Sequence, residues 1–208
     1  MDAERTGFDF TALSGRDKYK LMIGSIVPRP IALVTTVDEA GRINAAPFSF
    51  FNCLSADPPI LALGVENNPD MSFKDTAHNI RMTEVFTVNI VSFAIAEAMH
   101  QTAAKYPRGM DELQAAGLTA MPGAKIAAPW IAEAPAAFEC RRHLTLELSK
   151  SRQIILGEIV YAHYREGIVD ERLHVDPAGI DAIARLGGDT CATIRDRFEM
   201  LTPKYTPE

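Results

Sequence analysis

Hydrophobic positions along the chain form mostly short runs, and helical spacing appears between them. Apolar and β-branched residues fill five runs of strand type, at 31–37, 60–65, 85–91, 136–148 and 153–164. Only three turn-forming residues, Ser149-Lys150-Ser151, separate the last two runs, which predicts a long hairpin. The pattern is typical of a mainly β protein with peripheral helices.

A second hairpin is predicted around the first run. Ile31 to Val37 suits a mostly buried strand, and Asp38-Glu39-Ala40-Gly41 supplies an acidic turn start and a glycine able to adopt positive φ. Arg42 to Pro47 then forms the return arm.

Helices are predicted at 14–24, at 71–82 and from Ser92 to about 104, with one helical turn at 111–113 and a turn or helix at 178–184. The helix at 71–82 has an apolar stripe, a small polar stripe and a basic stripe: Phe73, Ala77 and Ile80; Ser72, Thr76 and Asn79; Lys74, His78 and Arg81. Free N–H groups at a helix start, with a lysine and a hydroxyl nearby, favour a phosphate site. The alternative is a solvated helix face.

Phe48 to Ser55 combines three phenylalanines with small polar side chains. If this segment is extended, Phe48 and Phe50 share one face and Phe51 takes the other. Pro47 and Pro58-Pro59 lack backbone donors, so we expect an irregular loop lining a cavity. Aromatic surface beside short polar groups suits a planar heteroaromatic ligand with a polar tail. The alternative is that these phenylalanines belong to an ordinary core.

Composition narrows the possible functions. The chain has 208 residues, of which 47% are hydrophobic, enough to bury one core. We therefore predict a single domain over 1–208, with a helical lead-in at 1–25 and a tail at 198–208. The net charge of −6 opposes binding to nucleic acid. No apolar stretch is long enough for a bilayer, so we expect no membrane association and a cytoplasmic location.

Metal and disulfide chemistry are not indicated. Cys53, Cys140 and Cys191 are scattered, and no metal site is predicted. Glu139 is expected on the outer face of its strand, and His143 and His163 are treated as structural or exposed rather than as catalytic bases. Trp130 is expected to pack rather than to contact a ligand.

Five segments in order resemble one family: RPIALVTT, GRINAAPFSFFN, DPP, KDTAHNI and RLGG, which together extend from about residue 26 to 194. They resemble the flavin reductase-like family of FMN-binding split β-barrels. The resemblance implies an antiparallel Greek-key split β-barrel with peripheral α-helices. It also implies a homodimer with one FMN per subunit near the interface, and chemistry by hydride or electron transfer through the flavin.

The resemblance also indicates a cofactor site and no catalytic side chain. Ser49, Asn52, Lys74 and Thr76 would hold the phosphate and ribityl groups, and the backbone from Phe48 to Cys53 would meet the ring. Arg29, fixed between two prolines, is either a cation near the ligand or dimer contact, or a surface arginine. The full set of predicted cofactor-binding residues is Arg29, Pro47, Phe48, Ser49, Phe50, Phe51, Asn52, Cys53, Lys74, Asp75 and Thr76.

The implied activity is transfer of reducing equivalents between NADH or NADPH and flavin, as in a flavin reductase that serves a flavin-dependent monooxygenase or another protein donor or acceptor. Two departures from the family matter. A Gly-Asp-His signature for the nicotinamide is replaced by Lys150-Ser151-Arg152-Gln153, and Thr190-Cys191 follows RLGG where many members have a tyrosine. A flavoredoxin-like electron carrier and a binding protein without redox turnover therefore stay open. The segment 101–118 is a candidate lid over the substrate.

Overall fold

The computed structural model describes residues 4–104, 106–107, 109–203 and 205. The predicted lead-in, lid and tail therefore lie partly outside the described residues, at 1–3, 105, 108, 204 and 206–208. The helices are α1 (Gly15–Ser25), α2 (Asp75–Thr83), α3 (Ala96–Gln101), α4 (Glu112–Ala115) and α5 (Pro177–Ile180), with a 3₁₀ turn at Phe93–Ile95. The strands are β1 (Arg29–Pro30), β2 (Ala32–Val37), β3 (Ile43–Phe48), β4 (Phe51–Ala56), β5 (Pro59–Glu66), β6 (Val85–Ile90), β7 (Ala120–Met121), β8 (Trp130–Ile131), β9 (Ala136–Ser149), β10 (Arg152–Tyr164), β11 (Ile183–Arg185) and β12 (Cys191–Thr193).

Seven strands form one antiparallel sheet in the order β3-β2-β6-β9-β10-β5-β4. The two edge strands, β3 and β4, are consecutive in sequence and only Ser49 and Phe50 separate them. The three peptide steps from Phe48 to Phe51 span at most about 11 Å, so the sheet must curl until its edges meet. The predicted mainly β, antiparallel split barrel with peripheral helices is confirmed.

Strand β2 is buried on both faces because it separates two cores. Ala32 and Val34 face the barrel interior with Phe86, Ile80 and Leu63. Leu33 faces outward and packs with residues of α3, α4 and β8. This double burial explains why its sequence is a continuous apolar and β-branched run rather than an alternating one.

Two smaller sheets complete the fold. Strands β1, β11 and β12 form one of them, and β7 pairs with β8 in the other. The predicted hairpins are present: β2 and β3 are joined through Asp38 and Gly41, whose φ is +79°, and β9 pairs with β10 along most of its length.

Helix boundaries differ from the predictions where side chains stabilise turns. The second helix begins at Asp75 rather than at 71, because the Asp70 carboxylate accepts from Ser72 N–H and Oγ–H in a preceding turn. Helix α5 ends at Ile180, since Asp181 takes φ +43°, and β11 follows. The helix predicted after Ser92 starts as a 3₁₀ turn, whose first residue, Phe93, is 53% exposed.

Glycine at position 157 is required by the packing of Phe86, which is fully buried. A Cβ at position 157 would overlap the Phe86 ring and lie 2.7 Å from its Cε1 atom. We expect Gly157→Ala to lower the free energy of unfolding by about 1–3 kcal/mol, through overpacking of the barrel interior. Urea denaturation measures the change.

Gly15→Ala is the matched control, because no heavy atom lies within 4 Å of a Cβ at this position. Its effect should stay within about 0.5 kcal/mol. Equal destabilisation by the two substitutions would show that packing against Phe86 is not what demands the glycine.

Candidate functional site

The corner between β3 and β4, residues 48–51, divides its three phenylalanines differently from the prediction. Phe48 and Phe51 both pack against the barrel core, whereas Phe50 is 42% exposed. A shared face for Phe48 and Phe50 was predicted only for an extended segment, and the chain instead bends at Ser49 and Phe50 and interrupts the strand alternation.

Phe50 is held against strand β5 by a residue without a side chain. Gly64 N–H donates to the Phe50 carbonyl at 2.7 Å, and a Cβ on Gly64 would lie 2.9 Å from Phe50 Cβ. On its other side, the Phe50 ring lies 6.3 Å from the Tyr19 ring of α1. The corner therefore presents an aromatic surface that is fixed from beneath and open to solvent.

The rest of this stretch is a strand and not the predicted irregular loop. Residues 51–56 form the edge strand β4, which pairs with β5 and has a register shift between Cys53 and Ser55. Pro47 lies on the other edge strand, β3, and Pro59 is the first residue of β5, and both positions tolerate a missing backbone donor. Asn52 and Cys53 are exposed there, and Ser49 is half-buried.

The start of α2 is the second part of the candidate site. Lys74 is its N-cap, is exposed, and makes no side-chain capping bond. By contrast, Ser14, Asp111 and Asp176 cap α1, α4 and α5 with their side chains. The Lys74 side chain therefore does not cap the N–H groups at the start of α2. Its ammonium group is exposed at the same end of the helix.

The small polar stripe of α2 faces the protein and not solvent. Thr76 and Asn79 are both at least 96% buried. Thr76 Oγ1 accepts from Asn44 Nδ2 on β3 at 3.1 Å, and Asn79 Nδ2 donates to Thr36 Oγ1 on β2 at 3.0 Å. These bonds fix the helix start to β3, the strand that leads to the aromatic corner.

The segment predicted as a lid lies against the other side of β3. Ala45 N–H donates to the Glu112 carboxylate at 3.1 Å, which satisfies a donor on this edge strand. Burial raises the pKa of Glu112, and the charges of Asp75 and Asp111 act in the same direction. A cavity of about 20 Å³ remains between β3, α2 and α4.

Arg29 is buried at 8% exposure, so the surface-arginine alternative is wrong. Its Nη1 donates to the carbonyls of Ile23 and Ile26 at the end of α1, and its Nη2 donates to Leu186 O. The guanidinium ties α1 to the RLGG loop. A cofactor contact by Arg29 stays a prediction.

The glycines of the RLGG loop also shape the contact between this loop and α1. A Cβ on Gly187 would lie 3.1 Å from Gly24 Cα, and Gly188 takes φ +59°. Gly187 therefore allows the loop to approach α1 closely, and Gly188 allows a positive φ that other residues rarely adopt.

Comparison with known proteins identifies the family. The model of the flavin reductase like domain matches residues 23–182. This chain belongs to the flavin reductase-like family.

Three solved structures extend the match to the whole fold. The 2-nitrobenzoate 2-nitroreductase NbaA of Pseudomonas fluorescens is 36% identical, with a TM-score of 0.89 and coverage of 98% of this chain and 99% of its own. Nitrilotriacetate monooxygenase component B of Bacillus cereus is 29% identical, with a TM-score of 0.90 over 96% of this chain and 100% of that chain. A protein of Shewanella frigidimarina described as a flavin reductase with a split barrel domain is 26% identical, with a TM-score of 0.81 over 95% of this chain and 100% of that chain.

In the part of this flavin reductase-like chain that the structure describes, no group of histidine, cysteine or acidic side chains could hold a metal ion. No helix in those residues is long and apolar enough to cross a membrane.

The sequence does not predict one buried polar cluster, which is formed around Glu139. Glu139, expected on an outer face, is fully buried and accepts from the N–H groups of Ala124, Lys125 and Ile126 at 2.6–3.1 Å. Its carboxylate also lies 2.7 Å from Nε2 of His163, whose ring stacks on Trp130 with a centroid distance of 4.5 Å. The alternation of side chains along β9 correctly predicts that Glu139 points away from the barrel interior. No local sequence pattern predicts which segment covers it.

Residues 122–131, here called the strap, cover this face of the barrel. Besides Glu139, side chains of the sheet bond the strap backbone: Thr35 to Pro129 O, Thr87 to Ala128 O, and Asn89 to Ile131 N–H. The cluster therefore stabilises an irregular segment whose backbone would otherwise be buried without partners. This arrangement gives Glu139 and His163 a structural role.

We expect Glu139→Gln to lower the free energy of unfolding at pH 7 by about 1–3 kcal/mol, because an amide has one acceptor oxygen where the carboxylate has two. Burial acts to raise the pKa of Glu139, but the bonds from His163, Ala124 and Lys125 outweigh it and hold the pKa below its ordinary value of 4.5. The stabilisation is therefore complete above pH 4.5 and is lost as the pH falls through the lowered pKa. Between pH 3 and 7, the free energy of unfolding of the Glu139→Gln variant should lack this pH-dependent contribution, which the wild type should show.

Glu147→Gln on the same strand is the control, since Glu147 is 66% exposed in its pair with Arg81. Its effect should stay below about 1 kcal/mol. Acid profiles that coincide for wild type and Glu139→Gln would contradict the assignment.

Proposed function

We propose that this chain is a flavin-dependent oxidoreductase that binds FMN and moves reducing equivalents between NADH or NADPH and the flavin. The observation that supports this best is the position of β3. One end of the strand, at Asn44, is bonded to α2 beside the helix start, and the other end leads into the aromatic corner.

The start of α2 fits a phosphate group. Positive partial charge, N–H groups without a side-chain cap and the Lys74 ammonium all favour a dianion in the same place. Thr76 and Asn44 hold this helix start in position. Asp75 lies in the first turn, so the phosphate would be bound mainly by backbone donors and Lys74.

The corner fits the flat ring system of a flavin. Phe50 supplies an exposed aromatic surface with a fixed position, and the exposed backbone and side chains of Asn52 and Cys53 supply polar atoms beside it. The six residues of β3 extend about 17–20 Å, a span suited to one elongated molecule with a phosphate at one end and a ring at the other.

Bound FMN would supply the redox chemistry, by accepting and releasing a hydride or single electrons. The chain's own groups would bind the phosphate, orient the ring and limit the access of water. No acidic or basic side chain is needed for hydride transfer between stacked rings.

We also propose a homodimer with one FMN per subunit. Leu144 and Leu146 alternate on β9, so they share one face, and they are 46% and 44% exposed, while Leu148, at a register shift, is 63% exposed. An apolar row of this kind on a sheet suits burial against a second copy. The chain would act in the cytoplasm, with a flavin-dependent monooxygenase or another redox protein as its partner; the likeness to a monooxygenase component B supports this assignment.

A flavoredoxin-like electron carrier is the second candidate. The residues before the segment 157–160 of β10 read Lys150-Ser151-Arg152-Gln153 and lack the Gly-Asp-His signature associated with nicotinamide use. Such a carrier would hold FMN at the same place but would receive electrons from a protein.

Lys74→Ala should weaken FMN binding about five-fold, the equivalent of about 1 kcal/mol for a solvent-exposed charge contact. The fold should be unaffected, because the Lys74 side chain caps nothing. Quenching of FMN fluorescence on titration with protein gives the dissociation constant.

Lys125→Ala is the matched control: it removes an exposed lysine of the strap, on the outer face of the barrel. FMN affinity should not change in this variant. An unchanged affinity in Lys74→Ala would refute the phosphate assignment.

Anaerobic addition of NADH, and then of NADPH, to the FMN-loaded protein separates the two candidates. The proposed reductase should lose its visible flavin absorption within seconds with one of the two nucleotides. Flavin bands that persist with both nucleotides but bleach with dithionite would favour the electron carrier. A protein that fails to bind FMN at all would reject both.

A further inference from the structure

A cavity of about 290 Å³ lies where α5 meets the segment after β12. Its volume is at the lower end of the range for small-molecule sites, about 300–1,000 Å³. The residues that line it are Pro177, Ala178, Asp181, Ile194, Arg195 and Arg197. None of them belongs to the proposed flavin site.

The lining has an excess of positive charge. Two guanidinium groups face one carboxylate, in a chain whose net charge is −6. Asp196 lies between the two arginines in sequence but does not line the cavity.

Arg195 is held in one orientation. Its Nε and Nη2 donate to the two carboxylate oxygens of Asp181, both at 2.8 Å, and its guanidinium lies over the Phe93 ring at 4.6 Å. The bond from Arg195 and, more weakly, the charge of Arg197 hold the pKa of Asp181 below its ordinary value, so the carboxylate stays ionised. The negative charge of Asp181 therefore balances the positive charge of Arg195.

Arg197 supplies the uncompensated charge. Within the described ranges, no hydrogen bond or ion pair engages its side chain. The remaining walls, Pro177, Ala178 and Ile194, are apolar. The cavity therefore offers one net positive charge at an apolar surface.

We propose that this cavity binds a small organic monoanion, a carboxylate attached to an apolar body. The ligand carboxylate would pair with Arg197 and with the side of the Arg195 guanidinium that does not bond Asp181. The apolar part of the ligand would cover Pro177 and Ile194. An inorganic dianion gains nothing from the apolar walls, and a neutral ring gains nothing from Arg197. This inference is independent of flavin binding.

Ligand-observed NMR titration of the full chain with benzoate and with hexanoate tests the proposal. We expect saturable binding in the millimolar range or tighter for at least one of them. Benzyl alcohol, the uncharged analogue, and inorganic phosphate should each bind at least five-fold more weakly. Absence of saturable binding by both carboxylates, or equal binding of phosphate, would overturn the proposal.

Three variants locate the site. Arg197→Gln should weaken carboxylate binding about five-fold, whereas Arg16→Gln, which removes an exposed charge on α1, should leave it unchanged. Ala178→Trp should abolish binding by filling the cavity, and the Asp176 cap bonds to backbone N–H groups are retained in that variant. Wild-type affinity in Ala178→Trp would overturn the proposal.

Repeating the titration with FMN-saturated protein separates this site from the flavin site. The carboxylate affinity should be the same with and without FMN. Competition between FMN and benzoate would place benzoate at the corner and would overturn the inference, while leaving the proposed FMN site intact.

Discussion

The two-residue connection between β3 and β4 constrains the whole fold. These strands are the opposite edges of a seven-stranded sheet, yet only Ser49 and Phe50 join them. A flat sheet of seven strands would be about 29 Å wide, far more than this connection spans, so the sheet must close on itself. The Gly64 N–H bond to the Phe50 carbonyl secures the closure. The same connection places an exposed aromatic ring at the seam, and the proposed flavin site therefore arises where the barrel closes.

The outer face of the barrel is stabilised by different means in its two halves. Over β2 and β3, α3 and α4 bury an apolar core that includes Leu33. Over β6, β9 and β10, the strap is held largely by polar side chains, and Glu139 alone receives three backbone N–H groups. An irregular segment has no ladder of its own, so its buried donors need acceptors from the sheet. Thr87 and Asn89 are polar although they are buried on a strand, because their side chains bond the backbone of the strap that covers them.

Nine of the eleven predicted cofactor residues fall into two groups in the structure. Ser49, Phe50, Asn52 and Cys53 lie at the corner or on the edge strand, and Lys74 is exposed at the start of α2, so all five are accessible to a ligand. Phe48, Phe51, Thr76 and Arg29 are partly or fully buried and contact the chain itself. Their effect on a ligand would be through position: Thr76 fixes α2 to β3, and Arg29 fixes α1, whose Tyr19 lies beside Phe50.

The sequence alone determined six of the seven strands of the large sheet, its two predicted hairpins, the first helix and the family, because periodicity, turn residues and short motifs are local properties of the chain. The apolar run at 31–37 required a buried strand, and Asp38 to Gly41 required a turn. Only the tertiary structure decided which way the three phenylalanines face, that Arg29 is buried, and that Glu139 is covered by the strap. Each of these depends on a residue far away in sequence: Gly64 for Phe50, Leu186 for Arg29, and His163 for Glu139. No local pattern records such partners, since the free energy of burying a charge or a ring is set by what the fold brings against it.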